Sequence, residues 1–200
     1  MSQIWLIPAF PFLGFLLNSF FGKRFGVPFV SIIGPMAIAL SFAQSLVLFF
    51  QMLDLDDQVI KEHLYTWIAS GSFEVGINFQ VDKLSGIYLL IITGIGFLIH
   101  IYSVGYMRGD SSYYRFFAYL NLFVFFMLIL VLGNNFLLMF VGWEGVGLCS
   151  YLLIGYYFEK ESAAEASKKA FLFNRVGDFG VLAAVLLIFL VFGSIDFNII

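Results

Sequence analysis

Residues 140–155 read FVGWEGVGLCSYLLIG. They set one carboxylate, Glu144, inside an apolar run from Phe136 to Phe158 that is long enough to cross a bilayer. A full negative charge at the centre of a spanning helix costs about 2.5–3.5 kcal/mol even on insertion scales. Loss of water favours the neutral acid, so a carboxyl in this setting is suited to hold or release a proton. Gly142, Gly145 and Gly147 remove side-chain bulk beside it, leaving room for a close helix, a bent backbone or water. The alternative is a structural carboxylate neutralised by one hydrogen bond.

The rest of the chain is built of the same material. Of 200 residues, 62% are hydrophobic and only 12% charged, with a mean hydropathy of +0.98. Soluble domains carry about 25% charge, so the chain is read as an integral membrane protein. No basic patch with interleaved aromatics lies on a soluble face, which leaves a nucleic-acid partner unsupported. One cysteine, Cys149, and two histidines, His63 and His100, exclude an internal disulfide and are too few for an iron–sulfur or Cys/His zinc site. No glycine-rich phosphate loop follows a strand. The expectation is a chain with no cofactor and no redox chemistry of its own.

Hydropathy predicts an all-α polytopic membrane protein of six transmembrane helices, at roughly 3–21, 28–53, 83–106, 114–132, 136–158 and 166–193. Pro8 and Pro11 are expected to bend or delay the first start, and Gly34-Pro35 to kink the second helix. The chain divides into 1–82, two helices plus an outer loop, and 83–200, helices three to six with the intramembrane carboxylates. In the outer loop, Phe73, Val75, Ile77, Phe79 and Val81 alternate with Glu74, Gly76, Asn78 and Gln80. That period of two, preceded by residues 63–68 and a turn at 69–72, predicts a small β-hairpin packed on neighbouring helix ends.

Charge in the connections sets orientation. Lys23, Arg24, Arg108, Arg115, Lys160, Lys168 and Lys169 fall on one side, against Lys61 and Lys83 on the other. The basic side is assigned to the cytoplasm, which places both termini outside, in the periplasm of a bacterium. Asp54, Asp56, Asp57, Glu62, Glu74, Asp82 and Asp196 then lie on the outer side, where carboxylates add little to the assignment.

The last helix holds a second set of misplaced polar residues. Lys168, Asn174, Arg175 and Asp178 gather on one helical face, and Arg175 and Asp178 can pair as i and i+3. They form either an ion pair that fixes packing or a polar stripe running to the bilayer centre. Glu144 and Asp178 come to similar depth on successive antiparallel helices, which makes them, with Arg175, the candidate proton relay. Lys168 is a secondary candidate, though it can also snorkel to water. His100 is the other, although a lone histidine in a helix is commonly a packing residue.

Phe140–Gly155 and the segment KAFLFNRVGDFG at Lys169–Gly180 closely resemble the NuoL-type (chain 5) antiporter-like subunit of respiratory complex I. GIGFLIH at 94–100, YMRG at 106–109 and RFFAYLNL at 115–122 resemble the same family. The resemblance implies a proton-translocating subunit of the membrane arm of NADH:quinone oxidoreductase, in a bacterial inner membrane. It implies the adjacent antiporter-like subunit and other membrane-arm subunits as partners, with FMN and iron–sulfur clusters carried elsewhere in the complex. By the same resemblance Glu144 is the key acid of the fifth helix, paired with a lysine on a seventh, and Arg175 and Asp178 are the polar pair of the sixth. The expected architecture is the N-terminal piece of an antiporter-like inverted-repeat fold, and the chain is expected to be truncated or a fragment, since the seventh helix lies beyond its sequence. The second function class is a subunit of a multi-subunit cation/proton antiporter or membrane-bound hydrogenase-type complex, and the third a purely structural scaffold.

Overall fold

The computed structural model describes residues 3–53, 59–71 and 73–199. Asp54, Asp56, Asp57 and Ser72, assigned above to the outer loop and its turn, lie outside the described residues. The elements run α1 (Leu6–Leu53), β1 (Ile60–Ser70), β2 (Phe73–Val81), α2 (Lys83–Tyr106), α3 (Tyr113–Leu132), α4 (Phe136–Ile154) and α5 (Glu161–Phe192). Five of these are helices long and apolar enough to cross a membrane. The expected count of six separate helices is therefore corrected to five.

The difference lies in α1. The two apolar runs expected as separate helices form one 48-residue element broken only at Gly26, where φ 76 and ψ −169 interrupt the helical backbone. That conformation is open to glycine and strongly strained for other residues. The arms on either side fold back on each other. Ser41 Oγ donates to the Ile7 carbonyl at 2.8 Å, and a Cβ on Gly14 would stand 2.7 Å from that of Ala37. The expected break at Gly34-Pro35 does not occur there. Pro35 stays within the helical run, and the bare backbone of Gly34 receives the Phe117 ring of α3. Pro11 likewise sits inside the first arm, which begins at Leu6.

The hairpin forms as its periodicity predicts. β1 and β2 pair antiparallel from Ile60↔Val81 to Ser70↔Phe73, with irregular register between His63 and Tyr65 and between Thr66 and Ile68. Val75, Phe79 and Val81 of the alternating set are buried, while Glu74 is exposed. Asp82 then caps α2 through a reciprocal box: its Oδ1 accepts from Ser85 N at 2.7 Å, and Ser85 Oγ accepts from Asp82 N at 2.8 Å.

The helical bundle has two chemically different ends. At the hairpin end, Ile4 N donates to Glu62 Oε2 at 2.6 Å, and Asn134 N donates to the Asn78 carbonyl at 3.2 Å. At the other end, the connection after α2 meets the connection after α4. Tyr156 Oη donates to Asp110 Oδ1 at 2.7 Å, Tyr157 reaches Oδ2 at 3.3 Å, and Arg115 Nη2 donates to the Tyr156 carbonyl at 3.2 Å. Partial burial pushes Asp110 upward, but its hydrogen bonds from Tyr156, Ser112 and Tyr157 and the nearby Arg115 outweigh it, and the carboxyl ends below its ordinary value of 3.8. The Tyr156 phenol is pushed up by burial and by the same carboxylate. This second end carries Arg108, Arg115 and Lys160 and is the basic end of the molecule.

The core sits between α1, α2, α3 and the hairpin, around Ile38, Phe79, Leu89, Leu128 and Leu132. α4 packs on α3, and α5 on α4. α5 leaves Leu172, Val176, Phe179 and Leu190 on an uncovered apolar face.

Candidate functional site

α4 begins where Asn135 caps it, its Oδ1 accepting from Leu138 N at 2.9 Å. Gly142 and Gly145 set its distance from α3. A Cβ at 142 would overlap the Leu130 backbone, and one at 145 the Phe126 ring. Of the uses left open for these glycines, close helix approach is the one adopted. Gly147 faces the other way, with Asn174 Nδ2 of α5 at 3.4 Å from a Cβ position.

That packing turns Trp143 and Glu144 toward α5. Arg175 Nη1 forms an ion pair with Glu144 Oε2, and the same Nη1 stands 3.6 Å from Asp178 Oδ2. Trp143 Nε1 donates to Asp178 Oδ1 at 2.9 Å. The Arg175 guanidinium also lies over the Phe171 ring, 4.6 Å from its centroid. One guanidinium thus bridges two carboxylates from different helices, and an indole fixes the second. The side chains of Glu144 and Asp178 are 24% and 9% exposed against 43% for Arg175, so the cation is the open member of the array.

The three residues proposed for the relay are brought together. The two secondary candidates are not part of the array. Lys168 lies two helical turns before Arg175, exposed, on a pocket of 260 Å³ at the basic end that Arg115, Tyr119, Tyr151 and Ser167 also line. His100 is fully buried on α2, where Nδ1 donates to the Gly96 carbonyl at 2.7 Å and the ring packs against Phe117. The interhelical pairing of Glu144 with Arg175 was not anticipated, since i, i+3 spacing pointed the arginine at Asp178 alone. Trp143 was missed as well. Its position next to Glu144 is the only signal the chain offers.

Comparison with known proteins bears on this arrangement. Residues 67–117 match the family model for the complex I (NADH-ubiquinone oxidoreductase) chain 5 N-terminus, and residues 133–200 match the NADH:quinone oxidoreductase/Mrp antiporter transmembrane family. NADH-quinone oxidoreductase subunit L of Mycobacterium tuberculosis is 45% identical over 195 residues, covering 96% of this chain and 31% of that protein. The chain belongs to the NuoL-type antiporter-like family. Subunit L of Escherichia coli is 40% identical over 198 residues, 99% of this chain and 32% of its relative. The chain thus spans about a third of the length of the curated NuoL-type relatives it matches.

Solved structures agree on the fold. The membrane-bound sulfane sulfur reductase, an archaeal respiratory membrane complex, superposes with a TM-score of 0.80 at 17% identity, over 98% of this chain and 39% of the other. The Mrp complex from Dietzia sp. superposes with a TM-score of 0.79 at 23% identity, over 97% of this chain and 20% of the other. The NuoL-type chain is a multi-pass membrane protein of that architecture.

Proposed function

We propose that this chain is part of a proton-translocating membrane-arm subunit of NADH:quinone oxidoreductase, with Glu144 and Asp178 as the groups that carry the proton and Arg175 as the cation that moves between them. The observation that supports it is the single guanidinium shared between two carboxylates of different helices, within segments long and apolar enough to span a bilayer. Two carboxylates and one guanidinium sum to −1, so one added proton makes the array neutral, the favoured state away from water. The proton occupies whichever carboxyl Arg175 does not hold. Swinging Arg175 from Glu144 toward Asp178 frees Glu144 to take up a proton, and the return swing expels it. Trp143 keeps Asp178 in place while the cation moves, so the exchange runs between two fixed acids.

The adjacent antiporter-like subunit and other membrane-arm subunits are this chain's partners. Electron transfer through FMN and iron–sulfur clusters belongs to other subunits. The basic end faces the cytoplasm of a bacterial inner membrane and the hairpin end the periplasm, following the bias of Arg108, Arg115 and Lys160 to one end. Lys168, at that basic end, is a candidate for the proton's approach to the two carboxylates.

The test is Glu144→Gln in the full-length subunit within its assembled complex. Proton pumping per electron should fall while the amount of assembled complex stays near normal. An unchanged proton-to-electron ratio in a fully assembled variant would refute the reading. A second reading, a subunit of a cation/proton antiporter or hydrogenase-type complex, is favoured by the superposition on the Mrp complex. Under it, the same variant abolishes cation/proton exchange in vesicles without any electron donor.

A further inference from the structure

Outside the Glu144 array, five described polar side chains are 0% exposed; Ser41 and Thr93 bond to backbone carbonyls, which leaves Asn18 on the first arm of α1, His100 on α2 and Asn121 on α3. They lie at one level. Asn18 stands eight residues from the Gly26 break, His100 six from the end of α2, and Asn121 eight from the start of α3. At helical rise these are all about 9–12 Å from the basic end. They also share a direction. Asn121 Nδ2 lies 2.9 Å from a Cβ position on Gly14, and Asn18 follows Gly14 by one turn on the same face of α1. On α3, Asn121 follows by one turn, on the same face, the Phe117 whose ring packs against His100.

Among the described residues, both amide atoms of Asn18, both of Asn121 and His100 Nε2 have no hydrogen-bond partner. The Gly96 carbonyl can only accept, so His100 Nδ1 carries the hydrogen and Nε2 is left as an acceptor. If the two amides paired head to tail and one remaining N–H went to Nε2, an N–H would still be unpaired.

We infer that Asn18, His100 and Asn121 form a binding site for internal water between α1, α2 and α3. The ligand has to be small, since all three side chains are fully enclosed, and able both to donate and to accept. It has to be neutral, since none of the three lining groups is a carboxylate or a fixed cation. Water meets each condition, making about three hydrogen bonds in such sites. The site is independent of the Glu144 array, because its helices are α1 to α3 and the array belongs to α4 and α5. Covering α5 with further chain would not change it, as its members are already enclosed.

The test is X-ray hydroxyl-radical footprinting of the full-length subunit in its assembled complex, which oxidises side chains beside ordered water. Phe117 is the reporter, 0% exposed with its ring centroid 6.1 Å from that of His100, and Leu128, also 0% exposed within the apolar core, is the control. Normalised for intrinsic reactivity, Phe117 should be labelled well above Leu128, and Asn18→Leu with Asn121→Leu should abolish the difference. Labelling of Phe117 no higher than that of Leu128 in the unmodified protein overturns the inference, and that measurement needs no variant to fold. Equal labelling of Phe117 in the assembled double variant also overturns it, since the water would then be held by something else.

Discussion

Trp143 donates its indole N–H to Asp178 at 2.9 Å across the α4–α5 interface, while its chain neighbour Glu144 takes the Arg175 guanidinium from the same helix. Two consecutive residues of α4 thus grip two residues of α5 that are three apart. The grip fixes both the spacing and the rotation of α5, whose apolar contacts within the described residues are otherwise few.

Trp143→Phe tests the indole bond while keeping an aromatic ring. A hydrogen bond of this kind contributes about 0.5–1.5 kcal/mol, and more where its acceptor is charged. A small fall in the thermal stability of the purified complex is expected, with proton pumping lowered more than electron transfer. Equal loss of both would mean that the indole supports assembly rather than the array.

The Glu144–Arg175 pair is tested by a double-mutant cycle with Glu144→Gln and Arg175→Gln. Both residues lie in helices long and apolar enough to span a membrane, so a coupling larger than the roughly 0–1 kcal/mol of water-exposed pairs is expected. The double variant should lose less stability than the sum of the two single losses. Strict additivity would show the two groups to be energetically independent.

How much of this was readable beforehand follows from which physics is local. The alternation from Phe73 to Val81 announces its strand because side-chain direction there depends on adjacent residues alone. Glu144 and Asp178 are conspicuous because a carboxylate in an apolar run violates the run itself. The Arg175–Glu144 pairing is invisible to such reasoning, as it depends on how α4 and α5 rotate against each other. The count of six helices failed for a related reason. Lys23, Arg24, Gly26 and Pro28 have loop composition, but the chain reverses at one residue and resumes its helical hydrogen bonding at once.

That reversal predicts a sharp sensitivity at Gly26. Gly26→Ala places a side chain at φ 76 and ψ −169, which costs about 1–3 kcal/mol before any contact is considered. Space is not the problem, since the nearest atom to a Cβ there is Pro28 Cδ at 4.0 Å. The variant should therefore lower melting temperature and assembled yield. Gly105→Ala, with nothing within 4 Å of its Cβ and no positive φ, should leave both unchanged or slightly raised.

Asp110 gives a pH-dependent prediction. Its carboxyl is held below 3.8 chiefly by the Tyr156 hydroxyl, against the opposing effect of partial burial. A lowered carboxylate contributes stability that is fully present above its ordinary value and disappears as pH falls through the lowered one. Tyr156→Phe removes the strongest donor, so Asp110 should titrate nearer 3.8, and the loss of stability on acidification should begin at higher pH. Infrared difference spectra of the carboxyl stretch, with Asp110→Asn as the blank, would follow that titration. No movement between the unmodified protein and Tyr156→Phe would show that the hydroxyl does not hold the carboxylate.

The closest helix approach supplies the last prediction. A Cβ at Gly142 would collide with the Leu130 backbone, and one at Gly145 with the Phe126 ring. Backbone cannot rotate aside and a ring can, so the two glycines should differ in their tolerance. Gly142→Ala must push α4 away from α3, an overpacking that costs about 1–3 kcal/mol, and the displacement would carry Trp143 and Glu144 with it. Gly145→Ala should be milder, and a second change of Phe126→Leu should recover much of its loss. Thermal denaturation of the assembled complex reads the stability side, and proton pumping reads the site. If Gly142→Ala proved harmless to both, the α3–α4 contact would not be what sets Glu144 against Arg175.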